Sequence, residues 1–305
     1  MSSTTGATER IRARALQLGF DACGFAKTGH VGAETEQHVR KWLNNDMQAE
    51  MRYMENHFEK RCDPTLLVEG AKTVISLAIN YYPREFQSPE LPRFACYAYG
   101  KDYHTVIKEK LAQLLLYIRE EIDPTATGRA FVDSAPVLER YWAQKAGLGW
   151  IGKNNTLIIP GMGSFYFLAE LIISTELEYN TRIVESKCGA CRRCINSCPT
   201  RALEYKQLDA RKCLSYLTIE KRGDFDPTIN LHNQAYGCDI CLLACPWNRF
   251  ARPNTTPEFA PIAEILTYST TQWLTISEEE FNRILKFSPV KRTKYAGLMR
   301  NMRHL

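Results

Sequence analysis

Cys188-Gly-Ala-Cys191-Arg-Arg-Cys194-Ile-Asn-Ser-Cys198-Pro199 is the stretch on which the fold turns. Its spacing, C-x2-C-x2-C-x3-C-P, is that of a cubane iron–sulfur site: three thiolates from one tight loop hold three irons, and the fourth reaches toward a second cluster. A partner motif follows at Cys238-Asp-Ile-Cys241-Leu-Leu-Ala-Cys245-Pro246, with Cys213 between the two. Crossed pairing assigns Cys188, Cys191, Cys194 and Cys245 to one [4Fe–4S] cluster, and Cys198, Cys213, Cys238 and Cys241 to the other. All eight thiolates are then used. Two structural zinc sites are the competing reading, but zinc sites pair two C-x2-C units across a longer gap. The triple run favours iron.

The other three cysteines of the eleven, Cys23, Cys62 and Cys96, are scattered. A dense cysteine cluster in a reducing compartment indicates metal or redox chemistry rather than disulfides. The N-terminus has no apolar core of a secretory signal, and no run of 18 apolar residues exists; a cytoplasmic protein with no membrane contact is expected. Hydrophobic content of 45% over 305 residues is enough for a sizeable core. The net charge is +5, yet residues 281–305 alone carry +7, leaving −2 for the rest. A basic end of this kind suits a polyanion or forms a solvated helix face.

Upstream, residues 7–18 predict an amphipathic helix, and Thr73–Asn80 (TVISLAIN) a buried strand. Ile107, Leu111, Leu114, Leu115 and Ile118 predict a helix over Tyr103–Asp123, stopped by Pro124. Leu157–Ile159 and Phe165–Ser174 read as strands around the Pro160–Gly163 turn. Ser277 with Glu280 predicts a capping box, and a last helix is expected from Val290 onward. The fold class is therefore α+β: an α/β N-terminal domain over 1–177, a two-cluster domain over 178–250, and a basic helical tail over 251–305. Asp133 ends an apolar run before a helix, so on type alone it reads either as an N-cap or as a functional acid. Gly147, Gly149 and Gly152 permit close backbone approach to a flat or phosphate-bearing ligand.

VDSAPVLERYWAQKAGLGWIGKNNT (132–156), CGACRRCINSCPTRAL (188–203), CLSYLTIE (213–220), GCDIC with CPWN (237–241, 245–248) and SPVKR (288–292) together resemble the epoxyqueuosine reductases. The resemblance runs from about residue 8 to residue 303. It implies an N-terminal cobalamin-binding domain and a ferredoxin-like domain that passes electrons from two [4Fe–4S] clusters to the cobalt. It implies reduction of epoxyqueuosine to queuosine at the wobble position of tRNA, the final step of queuosine biosynthesis. Losing an epoxide oxygen as water needs two electrons and protons delivered to one oxygen. Clusters supply single electrons, and cobalamin gathers them.

By the same resemblance Asp133 is the general acid, which a dry pocket beside a corrin would favour by raising its pKa. His57, Arg61, Ser134, Lys153 and Asn154 become candidate cobalamin contacts. Lys291, Arg292, Lys294, Arg300 and Arg303 become candidate tRNA contacts, with Tyr216, Trp247 and Tyr295 available for stacking on bases. Cys96 could line the site, and His104 could ligate cobalt, although a capping histidine is commoner there. Many family members continue past SPVKR into a helical-repeat extension that is not found after it here. The partners expected are tRNA and an external electron donor, for a monomer. Two alternatives use the same motifs: a cobalamin and iron–sulfur reductase of a small molecule, dehalogenase-like, or an iron–sulfur electron-carrier subunit.

Overall fold

The computed structural model describes residues 3–205 and 207–305. Its central element is a four-stranded sheet in the order Ala22–Lys27, Thr73–Asn80, Tyr166–Ile173, Gly128–Phe131, antiparallel throughout. Thr73–Asn80 pairs on both edges, which is why all eight of its residues are buried. The antiparallel pairing makes the N-terminal part α+β rather than a parallel, helix-connected sheet.

One face of the sheet, carrying Ile75, Leu77, Ile79, Leu171 and Ile173, lies under two helices, Ser3–Gln17 and Tyr103–Glu121. The longer helix presents Ile107, Leu111, Leu114 and Ile118 at the predicted spacing. Asp102 caps it by accepting the His104 backbone N–H at 3.0 Å. The opposite face carries Val74, Ile172 and Phe131 against Trp142 of the short helix Glu139–Lys145. The first strand, ACGFAK, has the small residues this packing needs: a Cβ on Gly24 would sit 2.2 Å from the Ala146 carbonyl oxygen. Those small residues also hide the strand from a hydrophobicity reading.

The α-helices described in the cysteine segment are short, Arg193–Ser197, Leu214–Ile219 and Ile240–Leu243. The strand Gln234–Tyr236 then pairs in parallel with Arg93–Phe94, far back in the chain. Around this pair a second core joins Phe94 and Phe165 with Ile219, Tyr236, Trp273, Leu298, Met299 and Met302. Residues from all three expected divisions, 1–177, 178–250 and 251–305, are therefore buried together. The reason is burial: segments with so little regular structure complete their cores on neighbouring chain.

The tail is packed rather than free. A 3-10 turn, Pro289–Thr293, precedes the helix Lys294–Arg303, whose Leu298, Met299 and Met302 are buried. Fully buried Asn301 donates to the carbonyls of Thr218 and Ala235, both at 2.8 Å. Ser277 caps Glu278–Ile284 by accepting the Glu280 N–H. The reciprocal capping box sits one helix earlier, at Ser269 and Gln272.

Candidate active site and thiolate sites

Asp133 lies at the end of the edge strand Gly128–Phe131, in a bend with φ 50°. It is not an N-cap, because the next helix begins at Glu139 with Leu138 in the cap position. The left-handed backbone turns the carboxylate outward, and its side chain is 63% exposed. The Tyr103 hydroxyl donates to Asp133 Oδ2 at 2.7 Å, and His104 Nε2 stands 4.0 Å from the same oxygen. Burial, then the Asp133 charge, pushes the Tyr103 phenol up, so it stays a donor at neutral pH. His104 is held by Asp102 Oδ1 at 2.7 Å and stacks on Tyr103, with ring centroids 4.1 Å apart. That engagement makes it a neighbour of the acid and leaves its Nδ1 unavailable as a cobalt ligand. The dry pocket expected around Asp133 is not formed by this chain alone.

Two further carboxyls lie behind Asp133. Glu139 Oε1 accepts the Asp133 backbone N–H at 2.6 Å. Glu170, fully buried and paired across the sheet with Ser76, has the Ser76 hydroxyl 3.5 Å from Oε1 and no partner for Oε2. Burial first, then the charge of Glu139, raises Glu170 well above the carboxylate range, so it is neutral in the fold. An acid whose folded pKa is raised loses stability as pH rises past about 4.3, where the unfolded chain ionises and the fold does not. Glu170→Gln should match the parent near pH 4 and gain at pH 8 by at least roughly 1.4 kcal/mol, the worth of one pKa unit. Chemical denaturation at the two pH values measures this; equal stability at both would show Glu170 to be ionised and solvated. Sequence pattern cannot find such a residue, since Glu170 sits within the apolar strand YFLAELII.

The cysteines fall into two groups. Cys188, Cys191, Cys194 and Cys245 line one cavity together with Lys153, Asn154, Ile158, Pro246 and Trp247. Burial raises the thiols of Cys213, Cys238 and Cys241; the charge of Cys198 adds to all three and that of Cys213 to Cys238 and Cys241, which places these four in the second group. Among the described residues, no three His, Cys, Asp or Glu side chains converge as ligands of one metal ion. A zinc ion needs four donors at about 2.0–2.3 Å; a cubane takes one thiolate per iron and suits a wider set. Burial pushes Cys238 up to about 12 and raises Cys213 and Cys241, so ionisation of these thiols is coupled to metal binding. The donor set fits two cubanes.

Several sequence-predicted contacts have other partners. Lys153 Nζ donates to the carbonyls of Gly189 at 2.6 Å and Cys191 at 2.9 Å, so it braces the first cysteine loop. Asn154 is buried beside the same cavity, and its Nδ2 has no partner. Arg61 is buried and donates to the Tyr53 carbonyl at 2.9 Å, while its Nε has no partner. Exposed His57 and Ser134 remain open to one, as does the half-exposed ring of Tyr53, which the sequence reading passed over. Burial raises the phenols of both Tyr53 and Tyr97, and the charge of Asp133 adds a smaller push to each. The exposed side chains of His57, Ser134, Tyr53 and Asp133 offer rings, a hydroxyl and a carboxylate, the chemistry that a flat, amide-rimmed corrin requires.

In the tail, Arg300 donates to the carbonyls of Leu217, Lys221 and Gly223, so its charge stitches the helix to the cluster segment instead of facing a phosphate. Arg292 pairs with Glu220 at 2.7 Å over the Tyr53 ring, and Lys291 bonds the Lys286 carbonyl. Lys294 and Arg303 are exposed, with no ion pair among the described residues. Of the three rings named for stacking, Tyr216 is buried with its hydroxyl accepting the Glu50 N–H, Trp247 packs on Trp150, and Tyr295 donates to the Ile276 carbonyl.

Comparison with known proteins agrees with this geometry. Residues 61–134 match the family profile described as epoxyqueuosine reductase QueG, DUF1730, and residues 187–248 match a 4Fe-4S double cluster binding domain. An epoxyqueuosine reductase of Cellulophaga algicola is 47% identical, covering 97% of this chain and 96% of its own. The crystal structure of an epoxyqueuosine reductase with an epoxyqueuosine-modified tRNA-Tyr stem loop superposes with a TM-score of 0.87 at 28% identity. It covers 96% of this chain and 79% of the other. A catabolic reductive dehalogenase shares the fold alone, with a TM-score of 0.51 at 15% identity over 98% of this chain and 38% of its own. On sequence identity over nearly the full length, the chain belongs to the epoxyqueuosine reductase family.

Proposed function

We propose that this chain reduces epoxyqueuosine to queuosine at the wobble position of tRNA, with Asp133 as proton donor. The observation that carries the reading is the outward-facing Asp133, fixed by Tyr103 and Glu139, in the same molecule as two sets of four cysteines. The net reaction takes two electrons and two protons and releases the epoxide oxygen as water. Each cluster passes one electron at a time, and cobalamin, when bound, supplies the reducing centre at which a pair is used. Cys188, Cys191, Cys194 and Cys245 would hold one cluster; Cys198, Cys213, Cys238 and Cys241 the other. His57, Ser134 and Tyr53 would contact the corrin. Tyr103 keeps the Asp133 carboxyl aimed, and substrate and corrin would cover the exposed carboxylate.

The tRNA anticodon arm would be held by Lys294 and Arg303, two exposed tail cations that form no ion pair among the described residues. The test is turnover of epoxyqueuosine-containing tRNA by the reconstituted protein with dithionite. Charge removal at both residues should weaken tRNA binding and flatten its salt dependence by about one unit per lost phosphate contact, with cofactor content unchanged. Absence of queuosine with clusters and corrinoid in place would refute the reading.

A further inference from the structure

A second cavity adjoins the first cysteine group and shares Cys245 and Pro246 with the cavity already described. Its lining includes Cys245 itself, the rings of Tyr82 and Phe165, Leu243, and the guanidinium-bearing Arg193 and Arg249. Leu243 is 41% exposed, a large apolar side chain left in solvent. Arg193 and Arg249 are exposed, and neither takes part in an ion pair among the described residues; the same holds for their neighbours Arg192 and Arg252. No carboxylate lines the cavity. None of its residues is among the partners of Asp133.

We propose that this arginine-rimmed cavity is the docking surface for a small acidic one-electron carrier protein, which delivers electrons to the cluster of Cys188, Cys191, Cys194 and Cys245. The inference rests on the reading of the two cysteine groups as clusters given above. Three features favour a protein over a nucleic acid. An exposed leucine and two rings set beside arginines give the mixed apolar and charged composition of a protein interface, whereas phosphate contact needs no exposed leucine. A cluster ligand forms the wall, so a docked redox centre needs no long path to it. The unpaired arginines attract an acidic partner and speed encounter, as in transient redox complexes with interfaces below about 1,200 Å². The step balances simply: the carrier loses one electron, the cluster gains it, no bond forms, and two encounters supply the pair the net reduction consumes.

The test uses the holoenzyme with reduced flavodoxin, an acidic flavoprotein, in a stopped-flow measurement of cluster bleaching. Arg193→Glu with Arg249→Glu should slow bleaching by flavodoxin at least about tenfold at low salt and remove its salt dependence. Bleaching by dithionite and the dithionite-driven turnover of tRNA should be unchanged. Arg193 lies between two cluster ligands, so iron content is checked first. Arg249→Glu, outside both cysteine motifs, should show the slowing on its own, and so should Leu243→Glu, which lies between Cys241 and Cys245 and is read only with iron content intact. Unchanged flavodoxin rates in both, with iron content intact, would overturn the proposal. So would a loss of tRNA affinity with unchanged flavodoxin rates, which would make the cavity an RNA surface. If the parent failed to turn over tRNA with dithionite, the proposed function would fall while the bleaching rates still decided the docking site.

Discussion

Asp133→Asn is expected to keep both clusters and bound corrinoid yet lose turnover of epoxyqueuosine-containing tRNA by about 10²–10⁴-fold, the range for removal of a general acid. The substitution is close to isosteric. Asparagine tolerates the left-handed conformation at φ 50° nearly as well as aspartate does, so the loop has no backbone reason to move. The amide oxygen can still accept the Tyr103 hydroxyl, and Glu139 can still accept the residue's N–H. What disappears is an acidic proton. The loss should therefore fall on kcat, with the KM for tRNA and the melting temperature near those of the parent. Full activity would remove Asp133 from the chemistry. A loss confined to KM would make it a binding residue.

How much of this was legible in the sequence depends on what kind of signal each residue left. TVISLAIN announces a buried central strand because it is apolar and β-branched, and the structure has it at Thr73–Asn80. The cysteine spacing announces clusters because metal geometry restricts which spacings work. ACGFAK leaves no such trace: Gly24 is there to admit the Ala146 carbonyl, a contact that depends on a residue 122 positions away. Arg300 and Lys153 show the opposite failure. Lys153 reads as a cobalamin contact and Arg300 as a tRNA contact, yet each spends its charge on carbonyl oxygens of a loop that the sequence cannot place beside it. A charge count locates a basic segment but cannot separate cations that brace the fold from those that meet a ligand. Asp133 reads as either a cap or an acid for a similar reason, since a strand end before a helix has the same local pattern whether or not the aspartate caps.

Removing single cysteines should have the other large effect, and it separates crossed from local ligation. Local ligation would put Cys198 with Cys188, Cys191 and Cys194, its neighbours in the motif. The structure instead groups Cys198 with Cys213, Cys238 and Cys241, while Cys245 joins the first three. Cys198→Ala and Cys245→Ala should each lower iron from about eight to about four atoms per chain, but by losing different clusters. The Cys245 variant should keep a cluster that still depends on Cys213; adding Cys213→Ala should then remove the remaining iron. Adding Cys213→Ala to the Cys198 variant should remove nothing more. Both single variants should lose turnover, because the route for electrons is cut in each. They should also become sensitive to protease between residues 185 and 250, since helices of four to six residues cannot hold that segment without the metal. If Cys198→Ala with Cys213→Ala lost all iron while Cys245→Ala with Cys213→Ala kept half, the motifs would ligate locally. The grouping of thiols around the cavity would then be a contact of apo chain rather than a ligand set.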